Sequence, residues 1–84
     1  MSNVVVMRVG LTAAFVPLAA QRLVASFSLL PGSTNSQVVV VSDGKGGTAD
    51  LRPGGEFRFA QVNLAELSVK GKAGEEVFVV GNTA

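Results

Sequence analysis

Apolar side chains return at every second position along much of this chain, a period that suits half-buried strands and does not build the apolar stripe of a helix. In residues 22–30 (RLVASFSLL), Leu23, Ala25, Phe27 and Leu29 share one face, while Arg22, Ser26 and Ser28 occupy the other. Phe57 and Phe59 oppose Glu56 and Arg58, and Leu67 and Val69 oppose Ser68 and Lys70. Valine, stiff at its branched carbon and suited to a pleated surface, occurs 15 times. Two segments are apolar on both faces. Residues 38–41 fit a central strand, and Val4, Val5 and Val6 fit an edge strand covered by a neighbouring chain.

Turn chemistry punctuates the alternation at Pro31-Gly32-Ser33, at residues 43–47 (DGKGG), at residues 52–55 (RPGG), at residues 70–74 and at Gly81-Asn82. Strands are therefore expected over 3–9, 11–16, 22–30, 37–42, 47–51, 56–61, 66–70 and 76–80. Residues 18–24 read alternatively as a short helix begun by Pro17, and residues 63–66 as a tight turn. Turns at this spacing indicate an all-β sandwich or barrel. The 84 residues suffice for one domain, 1–84, with residues 1–9 an arm or edge strand that pairs with a neighbour.

Composition narrows the chemistry. The chain has neither cysteine nor histidine, so it has no disulfide framework, no thiolate nucleophile and no imidazole base or metal ligand. Seven Lys and Arg against six Asp and Glu leave a net charge of +1 and no basic stripe, which argues against a nucleic-acid partner. Residues 42–50 (SDGKGGTAD) lack the spacing of a phosphate-binding loop and the alternate oxygen ligands of a calcium loop, and read as a hairpin connection. Most of the six acids adjoin turns or occupy outward strand positions, with no ordered pair for acid–base work. Without Trp or Tyr there is no stacking platform for sugars or bases, and Phe27, Phe57 and Phe59 fall in phase with the aliphatic core. No catalytic residue, cofactor, metal or small-molecule substrate is assigned, and the chain is expected not to be an enzyme.

The uncharged run 23–42 carries Pro31, Gly32, Asn35, Gln37 and several serines, too polar for a bilayer span, and Pro17 interrupts the signal-like run 9–20. A soluble protein without leader or membrane anchor is expected. A core this small is marginally stable alone, and with disulfides and structural metals excluded, burial against other chains is the natural supplement. The candidate contact residues are Val4, Val5 and Val6, with Arg8, Arg22, Arg52 and Arg58, since arginine is enriched at interfaces; solvated strand-face charges are the alternative for the arginines.

The second half carries a resemblance. From Val38 through Gly81 it runs a valine strand, a Gly-rich hairpin and Leu51-Arg52-Pro53-Gly54-Gly55-Glu56-Phe57, then Val62-Asn63-Leu64-Ala65-Glu66-Leu67-Ser68-Val69-Lys70-Gly71, and closes on Ala73-Gly74-Glu75-Glu76-Val77-Phe78-Val79-Val80-Gly81. This cadence resembles small virion proteins of tailed bacteriophages, in particular capsid decoration (cement) proteins. The resemblance implies a small antiparallel β-sandwich, jelly-roll-like, of about eight short strands. It further implies a non-enzymatic protein, made in the host cytoplasm and carried on the capsid surface. There it would bind major capsid protein and copies of itself as a homotrimer, with no nucleic acid, membrane or small molecule involved. A head-completion, tail or fibre component, or a small carbohydrate or host-surface binding module, are the alternatives.

Overall fold

The computed structural model describes residues 3–83. Eight strands form in chain order: β1 (Val4–Gly10), β2 (Val16–Pro17), β3 (Val24–Pro31), β4 (Val39–Ser42), β5 (Thr48–Leu51), β6 (Phe57–Asn63), β7 (Ser68–Lys70) and β8 (Glu76–Thr83). A single 3₁₀ turn, Leu64–Glu66, joins β6 to β7. The strands make two four-stranded sheets, in the orders β1-β8-β3-β6 and β2-β7-β4-β5. All pairings are antiparallel.

The chain changes sheet at every connection but one, the β4–β5 hairpin. First therefore pairs with last, and the others nest inside: β1 with β8, β2 with β7, β3 with β6, β4 with β5. Alternation places the core between the layers. Ala25, Phe27 and Leu29 from β3 and Val77 and Val79 from β8 meet Val39, Val41, Leu51 and Val69 of the other sheet in one buried cluster. Phe27 stacks on Phe59 with ring centroids 5.1 Å apart. As its two-sided apolarity predicts, β4 is central, with Val39 and Val41 buried and Val40 half-buried.

The turns follow their residues. Gly55 N donates to Arg52 O at 2.8 Å with Gly54 at φ +82°, and Glu75 N donates to Lys72 O at 3.0 Å with Gly74 at φ +91°. Both are type II geometry, which wants glycine at the third position. In the 42–50 loop, Asp43 Oδ1 accepts from Lys45 N at 2.7 Å and Gly47 N at 3.0 Å, closing a hairpin. Asn63 begins the 3₁₀ turn, its Oδ1 accepting from Ala65 N at 3.1 Å and from Leu23 N at 3.0 Å.

Three sequence expectations need correction. The strand expected over 11–16 shrinks to Val16–Pro17, because Thr12 Oγ1 donates to Ala14 O and accepts from Ala14 N, folding that stretch on itself. Residues 18–24 form no helix: Leu18 N is drawn to Leu67 O at 2.9 Å, and the segment crosses between the sheets irregularly. Gly81 is not in a turn but inside β8, opposite Phe27. A Cβ there would overlap Ser26 O and lie 2.6 Å from Phe27 Cα, so glycine marks a close backbone approach.

Candidate interaction surface

The outer face of the β1-β8-β3-β6 sheet departs from the polar covering expected of a solvated sheet. Register lays its residues in rows across the strands: Arg8, Phe78 and Leu30 in one, Val6, Val80, Ser28 and Arg58 in the next, Val4, Asn82 and Ser26 in the third. Val4 is 80% exposed, Val6 68% and Val80 43%. Val6 and Val80 stand directly opposite each other, so these three valines form one apolar stripe along the β1 side of the face. Beside it, a shallow concavity of about 530 Å³ opens between Leu30, Phe78, Val80 and the Pro53-Gly54-Gly55 turn. A second of about 290 Å³ lies where the sheets part, between Thr48 and Ala49 on one side and Phe57 and Phe59 on the other.

Charge sits at the margins of the face. Arg8 Nε lies 3.5 Å from Glu76 Oε1, and Arg58 Nε 3.2 Å from Glu56 Oε2. Such exposed pairs contribute little stability. They do leave the face without an isolated arginine. Hydrogen bonding from the Ser28 hydroxyl, then from Arg58, holds the Glu56 carboxyl below its ordinary pKa.

β1 is also a sheet edge, and its hydrogen bonds have a definite phase. Leu11 N donates to Glu75 O at 2.8 Å, and Thr83 N to Asn3 O at 2.8 Å. In an antiparallel ladder bonded pairs alternate with non-bonded ones. Val5, Met7 and Val9 therefore exchange bonds with β8, whereas the N–H and C=O groups of Val4, Val6, Arg8 and Gly10 point to the open edge. The other three edges are guarded. β2 is two residues long and ends in Pro17, and β5 is four residues long and carries Asp50. β6 carries Arg58 and a bulge beside Gln61, whose φ is +55°. Short strands, proline, charge and bulges all discourage edge pairing. β1 has seven residues, one charge and no bulge.

Of the candidate contact residues, Val4, Val6 and Arg8 come together on the outward side of β1. Val5 turns inward and packs against the core. Arg58 shares the face but lies on the opposite edge strand. Arg22 and Arg52 are exposed off the face, Arg22 just before β3 and Arg52 in the turn entering β6 at the other end. Residues 1 and 2 of the expected 1–9 arm lie outside the described residues; from Val4 onward the segment is an edge strand. Leu30, Phe78 and Val80 escaped the sequence reading, although the unbroken apolar runs 77–80 and 29–30 signal that both faces of those strands are apolar.

Among the described residues no helix is long and apolar enough to cross a membrane, and no three of the side chains His, Cys, Asp or Glu gather as metal ligands. No protein-family model, curated protein or solved structure matches this chain.

Proposed function

We propose that this protein is a non-enzymatic structural subunit of a tailed-phage particle, a capsid decoration protein that binds between major capsid protein subunits at the virion surface and stiffens the shell. One observation carries the reading: a seven-residue, valine-rich edge strand is left unpaired beside an apolar outer face. Long apolar edges attract other strands, and exposed apolar faces on small proteins mark contact surfaces. A core of 84 residues gains what it lacks in burial by lodging among other chains. The nested pairing and the β1-β8-β3-β6 and β2-β7-β4-β5 orders support reading the sandwich as a jelly roll, an eight-stranded double sheet common in capsid proteins. The cadence of residues 38–81, which spans β4 and its hairpin to β5, the β5–β6 turn, the 3₁₀ turn with β7, and β8, is the other support.

The test uses shells assembled from the major capsid protein encoded with this chain. The full-length protein should co-sediment with them in hundreds of copies per shell, and Val80→Lys should weaken uptake by about tenfold, roughly 1.4 kcal/mol. Absence of uptake at any concentration overturns the reading. A handful of copies per particle reassigns the protein to a head-completion, tail or fibre position.

A further inference from the structure

We infer that β1 pairs antiparallel with β1 of a second copy, about a two-fold axis through Val6, joining two sheets into one of eight strands. The inference rests on reading β1 as an assembly edge, and adds to it the occupant and the register.

The free backbone groups select what can pair. Only Val4, Val6, Arg8 and Gly10 offer N–H and C=O to a newcomer, so an antiparallel mate must bring its own outward-bonding residues opposite these. A second β1 does so when Val6 faces Val6 of the partner subunit, with Val4 opposite the partner's Arg8 and Arg8 opposite the partner's Val4. Each pair exchanges two backbone bonds. The side chains of Val4, Val6 and Val80 from both copies then share one outer surface, so the pairing doubles the apolar stripe without a step.

Charge and strand overlap separate this register from its neighbours. Arg8 is the one charged residue on β1. An axis through Met7 sets the two Arg8 side chains on diagonal positions about 7–8 Å apart, within a Debye length of about 8 Å. The axis through Val6 moves them four residues apart, about 14 Å at the usual rise. Each arginine keeps its own Glu76 at 3.5 Å, and two chains of net charge +1 repel weakly. An axis through Val5 overlaps the two β1 strands over residues 4–6 alone, against residues 4–8 for the axis through Val6. The contact is isologous and consumes the one unguarded edge, so it closes at a dimer and does not propagate into a fibre. A two-fold dimer replaces the homotrimer that the resemblance implies.

The absence of native cysteine makes the register readable with single substitutions. Residues facing each other as a bonded antiparallel pair have Cα atoms about 5.5 Å apart, within disulfide reach. Under mild oxidation the full-length Val6→Cys variant should cross-link to a dimer at least about tenfold faster than Val4→Cys, whose copies sit about 14 Å apart. Mixed Val4→Cys and Arg8→Cys chains should cross-link to each other. In sedimentation the wild-type chain should reach twice its 8.6 kDa mass, and Val6→Lys should remain single. Val6→Pro should also remain single with its circular dichroism unchanged, because it deletes an N–H that points away from β8. A wild-type chain that stays monomeric, or equal cross-linking at positions 4 and 6, overturns the inference. Monomers that still load onto shells sink the dimer alone. Dimers that never load uphold the dimer and sink the decoration role.

Discussion

Asn35 shows how a single side chain extends a sheet past its last strand residue. It is 7% exposed; its Nδ2 donates to Glu76 O at 2.7 Å and its Oδ1 accepts from Glu76 N at 3.2 Å. The amide thus stands in for a further residue of β3, which has already turned away at Gly32. Asn35→Ala strands the Glu76 N–H and should cost about 1–3 kcal/mol, read as a lower urea midpoint at unchanged slope. At Gly81 the constraint is space. Gly81→Ala drives a methyl group into the β3 backbone beside Phe27 and should cost roughly 1–3 kcal/mol, toward the upper end because backbone cannot rotate aside. A melting temperature within a degree of wild type would contradict the close approach. Neither role was legible in the sequence. Asn35 sits in a polar stretch that reads as loop, and a glycine before an asparagine reads as a turn, because close approach depends on a strand more than fifty residues away.

At the scale of elements, the strands were the legible part. Period-two alternation located β3, β6 and β7, and apolarity on both faces located β1 and β4; the turns at residues 43–47, 52–55 and 70–74 fell where glycine and proline set the backbone. The boundaries that failed did so where bonds outside the strand ladder intervened, a distant one at Leu18, pulled to Leu67, and local ones at Thr12, bonded within its own loop. The candidate surface was half legible. Val4 and Val6 announced themselves, but which side of β1 stays open follows from the phase of its bonds to β8, which no local pattern encodes. The loop before β4 is tied to the turn before β8 by one carboxylate: Glu75 Oε2 accepts from Ser36 N at 2.7 Å and from Ser36 Oγ at 3.0 Å. The Ser36 backbone bond, ahead of burial acting the other way, holds the Glu75 pKa below its ordinary value. Asp43 is lowered likewise, by the Lys45 and Gly47 backbone bonds. A carboxyl whose folded pKa lies below its unfolded one, about 4.3 for Glu, stabilises above that unfolded value. The contribution disappears as pH falls through the folded pKa. Urea midpoints should therefore hold from pH 7 to about 5 and fall toward pH 3, and Glu75→Gln should flatten part of that decline. An acid limb identical in Glu75→Gln and wild type would remove Glu75 from the account.

For the whole molecule, nesting sets the order of assembly. β4 and β5 are joined by a short hairpin, whereas β1 must find β8 across almost the entire chain. Loop closure makes distant pairings slow, so the hairpin is expected to form first and β1 to dock last. Val79→Ala should then quicken unfolding far more than it retards refolding, while Val41→Ala slows refolding; the chevron arms of the two variants check this. The reverse partition would place nucleation at the outer strands. The same wrapping leaves Asn3 and Thr83 hydrogen-bonded side by side. Residues 3 and 83 thus lie at one corner, where a short peptide bridge could join them. Severing the chain instead at the 43–47 bend would give a rewired polypeptide with every ladder intact, and any cargo attached beside residue 3 or 83 would ride at the rim of β1.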